Sequence, residues 1–259
     1  MNARSELPPL KDAGQKLQTG YIGKPEPRAN AKRLLQGRGA FMDDLRLPRL
    51  AQVVFLRSPH AHAKIKRLDF SAARAAPGVI AVVDGRAVAE YCSPWIAVLS
   101  HLKGLRSPPQ YPLAIERACW QGEAVAAVVA ETRAQAEDAC ELIVAEWEPL
   151  HAVIDMHEAL EGKHVIHPEL GDNICFRREL DNGEVDAAFA RADLVVEEEY
   201  GFGRHTGVCL EGRAIIADYN AGDHTLTVHH ATQAPHMMQD IFARHLNLPE
   251  ANEIGRAHV

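Results

Sequence analysis

The segment Gly122 to Leu150, GEAVAAVVAETRAQAEDACELIVAEWEPL, constrains the fold more than any other part of the chain. Ala124 to Val129 is a nearly continuous apolar run of strand length. Thr132 is placed to cap a helix in which Ala136, Ala139, Cys140 and Ile143 recur at i, i+3, i+4 and i+7, so one face of that helix must be covered. A second strand follows and ends at Pro149. Strand, helix and strand in this order predict a mixed sheet with helices packed on one side.

Upstream, residues 1 to about 30 are polar and Pro-rich with no apolar period, and read as an extended arm. Order is expected to begin near LLQGRGAFMDDLRLPRL, where Gly37 and Gly39 bracket a turn that Asp43 and Asp44 can cap. AQVVFLRSPHAHAKIKRLD reads as a buried strand at Val53 to Leu56, a break at Ser58-Pro59, and an alternating strand with Ala63, Ile65 and Arg67 on one face. DFSAARAAPGVIAVVDG predicts a short helix stopped by Pro77-Gly78, the strand Val79 to Val83, and a turn at Asp84-Gly85. Residues 86 to 118 carry four prolines and no period, which predicts a long irregular loop, a common setting for functional surface.

Downstream, EALEGKHVIHPELGDN is polar and marks a boundary near residues 157 to 172. GEVDAAFARADLVVEEEY predicts a short helix leading into a strand. GRAIIADYNAGDHTLTVHH predicts a hairpin turning at Asn220 to Asp223, with Leu226, Val228 and His230 alternating against Thr225, Thr227 and His229. In ATQAPHMMQDIFARHLNLPE a helix starts at Pro235 and carries the apolar stripe Met238, Ile241, Phe242 and His245.

At 259 residues the chain is near the size at which single cores stop growing, so two domains are expected. A net charge of -7 without Lys/Arg runs interleaved with aromatics argues against nucleic acid as a partner. The five cysteines are scattered and form no C-x-x-C pair, a pattern that fits reduced thiols in a cytoplasmic protein. The N-terminal stretch has neither an apolar h-region nor a twin-arginine pair, and no later apolar run reaches spanning length. The expectation is a soluble, unexported protein without a membrane span.

VHHATQAPHMMQD, Val228 to Asp240, holds His229, His230 and His236 within eight residues and invites a metal site. Neighbours on a strand point to opposite faces, so His229 and His230 cannot hold one ion together. His60 and His62 share a strand face at i, i+2, but zinc sites need four ligands and no third or fourth partner can be nominated, so the pair reads as structural. Gln233 differs. A neutral amide at a strand-to-helix junction can present its N–H to a metal-bound oxygen without adding charge, and the helix N-terminus adds positive potential for an anionic cofactor. The plain alternative is a helix-capping polar residue. GEAVAA lacks the G-x-G-x-x-G spacing and is not read as a dinucleotide loop.

The blocks GRGAFMDDLRLP, FLRSPHAHAKI, APGVIAVVDG, GEAVAAVVAETRAQAEDACELIVAEWEPL, RHTGVCLEGRAIIADY and TLTVHHATQAPHMMQDIFARHLNLPE stand in the order of one family. The chain resembles the molybdopterin-binding large subunit of the xanthine dehydrogenase and aldehyde oxidase family, above all its carbon monoxide dehydrogenase-like branch. The matching blocks run from about residue 22 to residue 250. The resemblance implies an α+β fold with an arm over 1–30, an α/β-hammerhead domain over 31–150, a linker over 151–172 and the start of the first molybdopterin-binding domain over 173–253.

It also implies the chemistry: oxidative hydroxylation of an aldehyde, an N-heterocycle or carbon monoxide, with water as the oxygen source. The cofactor would be molybdenum on a molybdopterin cytosine dinucleotide. Electrons would pass to 2Fe-2S clusters on a small subunit and FAD on a medium subunit, in a dimer of heterotrimers. The family glutamine of the TQAPH-like motif lies beside molybdenum and donates a hydrogen bond, a role that maps onto Gln233. Gln233, Ala234 and His236 form the implied cofactor-contacting set, with no protein metal ligand because pterin sulfurs hold the metal. Glu211, in CLEGRA, stands where the family has a Leu-Glu pair and reads as a buried partner of Arg213; Cys209 replaces a common proline. Two other readings stand beside this one: a non-catalytic hammerhead module for binding or assembly, and a histidine-metal protein built on His60 and His62.

After HLNLPE the family continues into a strand and a Gly-Gly-Gly-Phe-Gly loop, where this chain reads ANEIGRAHV. Ile254 to Val259 back-translates as ATC GGA AGA GCA CAC GTC, the sequence of a common sequencing adapter. Residues 254–259 are therefore expected to be an artefactual tail on a truncated gene fragment that lacks the Gly-rich loop and the general-base glutamate. Such a chain is expected to retain no molybdenum, to be inactive alone, and to expose apolar strand edges.

Overall fold

A computed structural model describes residues 23–97, 99 and 101–257. Most of the expected arm, residues 1–22, lies outside the described residues. The chain enters through helix α1 (Ala31–Leu35) and a 3-10 turn at Met42–Asp44, where the Asp44 carboxylate accepts from the Phe41 N–H at 2.8 Å. The aspartate cap thus closes this 3-10 turn and not the turn between Gly37 and Gly39 for which it was expected.

The first domain contains β1 (Gln52–Arg57), β2 (Ala63–Asp69), α2 (Ser71–Ala75), β3 (Val79–Asp84), α3 (Gly85–Ala89), β4 (Arg117–Ala118), β5 (Ala124–Ala130), α4 (Arg133–Glu141) and β6 (Val144–Pro149). Its strands form two antiparallel three-stranded sheets, in the orders β1-β5-β3 and β4-β2-β6. The mixed sheet expected from the strand-helix-strand segment is therefore corrected, because β5 and β6 join different sheets. Their compositions explain the parting. β5 is apolar throughout and takes the centre of its sheet, whereas β6 alternates and pairs with β2 through Lys64–Glu148 and Arg67–Glu146 ion pairs at 3.1 and 2.9 Å.

Helix α4 lies on the β1-β5-β3 sheet as its periodicity requires. Thr132 and Gln135 form a capping box, with Gln135 Oε1 accepting from the Thr132 N–H at 3.0 Å. Ala136 and Ala139 are fully buried against Ala126, Val128 and Ala130, with Phe70, Ala73, Val82 and Ile143 completing the core. Alanine facing alanine brings helix and sheet close together, and leaves little room for a larger side chain.

Several local expectations fail in this domain, the first being the buried strand at Val53 to Leu56: β1 alternates, with Val53 and Phe55 exposed on its outer face. The register of β2 shifts between Ile65 and Arg67, so Arg67 turns to solvent and pairs with Asp69 and Glu146, while Leu68 packs on the core. A bulge shifts every later side chain to the other face, and no alternation rule anticipates it. The Asp84-Gly85 turn is the start of α3 instead: Asp84 Oδ1 accepts from the Ala87 N–H at 2.9 Å. A Cβ on Gly85 would lie 2.5 Å from the Leu113 carbonyl oxygen, so only glycine fits.

The second part contains α5 (Met156–Glu161), α6 (Val185–Ala190), β7 (Ile215–Asn220), β8 (Thr225–His230), α7 (Pro235–Leu246) and β9 (Glu253–Ala257). The polar boundary segment holds α5, capped by Asp155. No strand forms over residues 191–200, directly after α6, contrary to expectation. Val195, Val196 and Tyr200 are exposed, since a β-prone segment becomes a strand only when another strand pairs with it. Strand β8 lies between β7, antiparallel, and β9, parallel, and the hairpin turn is closed by Asn220 and Asp223 side chains as the sequence predicts.

Candidate cofactor site at the start of helix α7

Strand β8 ends at His230, a four-residue turn follows, and α7 begins at Pro235. Proline suits the first helical position because its missing N–H would have no intrahelical acceptor there. Thr232 Oγ1 accepts from the Ala234 N–H at 3.2 Å and tightens the turn. Met238, Ile241, Phe242 and His245 are half-buried, as their stripe predicts, and Ala243 is buried beside them.

The three sequence-predicted contacts therefore sit together at this junction. Gln233 and His236 are exposed and Ala234 is half-buried. Among the described residues the Gln233 amide makes no hydrogen bond, so it does not cap the helix. Its donors and acceptor are open to a ligand, next to a helix end whose first N–H groups have no partner within the helix. A neutral donor beside that positive end suits an anionic group that must not be over-neutralised.

The histidines are dispersed. His229 is buried on β8, while the His230 ring leans on Phe242 with centroids 5.9 Å apart. His60 and His62 do not share a strand face: both lie in the bend between β1 and β2, where Ser58-Pro59 breaks the ladder. His62 Nδ1 bonds the His151 carbonyl at 2.7 Å and His60 meets Trp147 edge-on at 5.8 Å. Among the described residues no group of three or more His, Cys, Asp or Glu could hold a metal ion.

Glu211 is likewise placed differently from the expected ion pair. Its carboxylate accepts from the Met42 backbone N–H at 2.6 Å, and no Arg213 ion pair is present among the described residues. Glu123 of GEAVAA accepts from the Cys119 N–H at 2.6 Å, and burial pushes its carboxyl above the ordinary value against that bond. It closes the turn before β5 and contacts no phosphate cradle. All five cysteines are unpaired.

A cavity of about 450 Å³ lies away from Gln233, between the 97–108 loop and the 153–175 segment. Arg106 crosses it, bonded to the Asp172 carboxylate, the Leu170 carbonyl at 2.9 Å and the Ile174 carbonyl. Sequence reasoning missed this clamp, since an arginine in an irregular loop carries no periodic signal. No described helix is long and apolar enough to cross a membrane.

The aldehyde oxidase and xanthine dehydrogenase a/b hammerhead domain profile matches residues 36–151, and the molybdopterin cofactor-binding domain profile matches residues 166–254. The chain is 36% identical over 230 residues to the nicotine 6-hydroxylase large subunit of Paenarthrobacter nicotinovorans, covering 89% of this chain and 28% of that protein. It is 31% identical to the carbon monoxide dehydrogenase large chain of Afipia carboxidovorans, over 96% of this chain and 32% of that one. The crystal structure of quinoline 2-oxidoreductase from Pseudomonas putida 86 superposes with a TM-score of 0.85 at 36% identity, over 90% of this chain and 29% of that one. The chain thus spans about 30% of the length of these relatives.

Proposed function

Because the chain belongs to the aldehyde oxidase and xanthine dehydrogenase family, with its hammerhead and molybdopterin-binding domains in order, we propose that it is part of the large subunit of a molybdenum hydroxylase. The observation that carries the reading is the unpartnered Gln233 amide at the start of α7, inside the molybdopterin-binding match. The substrate class is an aldehyde, an N-heterocycle or carbon monoxide, in keeping with relatives named for aldehydes, nicotine, quinoline and carbon monoxide.

The residues present fit such a cofactor. Bound molybdopterin supplies a redox-active metal that accepts the two electrons of hydroxylation. Gln233 donates its side-chain N–H toward that centre and orients what binds beside it, without introducing charge. Ala234 and the α7 N-terminus offer backbone dipole to the anionic pterin, and His236 borders it on the first turn. We take the pterin to be the cytosine dinucleotide, and the electron acceptors to be 2Fe-2S and FAD on partner subunits in a cytoplasmic dimer of heterotrimers. The 259 residues alone carry one candidate residue beside the metal, and are expected to be inactive.

The test is expression of the complete large subunit with its partner genes. Molybdenum analysis and oxidation of an N-heterocycle with an artificial electron acceptor should both be positive, and both negative for the 259-residue chain. A complete subunit that binds no molybdenum would overturn the reading.

A further inference from the structure

The loop between α3 and β4 leaves the first domain and meets the second part of the chain at two anchors. At the first, the Ser93 N–H donates to the His245 carbonyl at 3.0 Å. That carbonyl belongs to the last turn of α7, where the helix itself supplies no donor. The neighbouring carbonyls of Ala243 and Arg244 are met locally, by the Leu248 and Asn247 N–H groups at 2.9 and 3.4 Å, whereas the donor for His245 comes from the other domain. The His245 ring adds a second bond in either tautomer. A bare Nδ1 accepts from the Ser93 hydroxyl at 2.9 Å, and an Nδ1 that carries the proton donates to the Ser93 carbonyl at 3.2 Å.

At the second anchor Arg106 holds the turn 170–175. Its backbone N–H donates to the Cys175 carbonyl at 2.8 Å, and its guanidinium to the Leu170 carbonyl at 2.9 Å, the Ile174 carbonyl and the Asp172 carboxylate. A planar fork that meets three acceptors fixes the direction of approach as well as the distance, which an ammonium group does not. The two anchors are braced against each other. Trp95 and Gln110 exchange a pair of backbone hydrogen bonds, both at 2.8 Å, and the Ala97 N–H donates to Ser107 Oγ at 3.3 Å. Ser93 and Arg106 thus stand beside opposite limbs of one closed excursion.

We propose that this loop is a clamp through which the hammerhead domain docks the molybdopterin-binding domain: Ser93 and Arg106 act as one braced pair that holds α7 and the 170–175 turn together. A long loop without a period of its own is retained in a compact domain when it carries a function, and here that function is docking. Helix α7 bears Gln233 beside its other end, so the first domain sets the direction of that helix. The inference goes beyond the cofactor reading and does not depend on it.

The experiment is amide hydrogen exchange on the 259-residue chain, with the amides of β5 as the control for global unfolding. Arg106→Met keeps the aliphatic stem and removes the fork, so exchange at Leu170 and Ile174 should rise about tenfold. Arg106 makes no hydrogen bond to α7 among the described residues. Asn247 and Leu248 should nonetheless exchange about threefold faster in Arg106→Met, because the loop that carries Ser93 has lost its other hold. His245→Phe keeps a ring and removes Nδ1; it should speed Leu170 and Ile174 about threefold in turn, since coupling between two anchors is reciprocal. Arg106→Lys, which keeps the charge without the fork, should resemble Arg106→Met. Acceleration confined to the anchor that was changed marks two independent contacts and overturns the proposal. Should Arg106→Met speed β5 as well, His245→Phe decides the matter, and exchange at Leu170 and Ile174 within about twofold of the parent overturns it. Neither Gln233 nor molybdenum enters these readouts. Failure of the Gln233 reading shows separately, as unchanged activity of Gln233→Ala in the complete enzyme.

Discussion

The Glu211 carboxylate accepts a hydrogen bond at 2.6 Å from the backbone N–H of Met42, a residue 169 positions earlier whose side chain is 2% exposed. The contact joins the entry to the first domain with the strand-poor segment before β7. Bonds to charged acceptors are stronger than neutral ones, and Glu211→Ala leaves the Met42 N–H without its acceptor. Glu211→Ala should lower stability by about 1–3 kcal/mol in urea unfolding. Glu211→Gln, which keeps an acceptor, should lose less.

Glu253 is 1% exposed on β9, and neither carboxylate oxygen has a hydrogen-bond partner among the described residues. Desolvation raises its carboxyl above the ordinary glutamate value in the folded chain. The folded state then binds the proton more tightly than the unfolded state. Stability is therefore greatest below the unfolded-state value, and falls as pH rises from there through the raised folded value. Glu253→Leu should raise stability at pH 7 by about 1–3 kcal/mol and flatten this dependence. Urea midpoints between pH 4 and pH 8 check both outcomes, and equal slopes with pH for the two proteins would contradict the account.

Gly85→Ala places a methyl 2.5 Å from the Leu113 carbonyl oxygen and 2.7 Å from that of Ala114, both backbone atoms. The 113–114 segment must move for α3 to remain, and a loss of about 1–3 kcal/mol is expected. Gly122→Ala is a useful contrast. Its new Cβ meets nothing within 4 Å, but its φ of +89° is unfavourable for alanine, so its cost of roughly 1 kcal/mol should come from the backbone alone. Thermal unfolding of the two variants ranks them.

Ala139→Leu inserts a larger side chain where α4 meets β5 at a fully buried alanine. Overpacking of this kind costs about 1–3 kcal/mol. Thr132→Ala, at the exposed end of the same helix, removes the capping box and should cost about 1 kcal/mol. Denaturant midpoints would show Ala139→Leu as the more damaging change.

Gln233→Ala should leave the stability of the chain within about 0.5 kcal/mol, since the side chain is exposed and makes no bond among the described residues. In the complete enzyme the same change should lower turnover by roughly 10²-fold, the usual scale for removing one preorganised donor. Parallel melting curves and activity assays separate the two effects.

Much of this arrangement is legible in the chain itself. The cap at Thr132, the helix stop at Pro77-Gly78, the hairpin at Asn220 to Asp223 and the start of α7 at Pro235 each depend on residues within a few positions of one another. So does the placing of Gln233 between a strand and a helix. Local chemistry of this kind is encoded where it acts, through capping atoms, fixed backbone angles and side-chain period.

Tertiary structure alone decided the rest. That β5 and β6 part into different sheets depends on partners as far away in the chain as Ala63 is from Pro149, and composition names no partner. The bulge before Arg67 and the withdrawal of His60 and His62 from any strand follow from that pairing, since register is settled by the neighbouring strand. Glu211 finds Met42 in place of Arg213 for the same reason. A short-range pattern can state which residues must be covered or bonded, but the partner that covers or bonds them is set by packing across the whole chain.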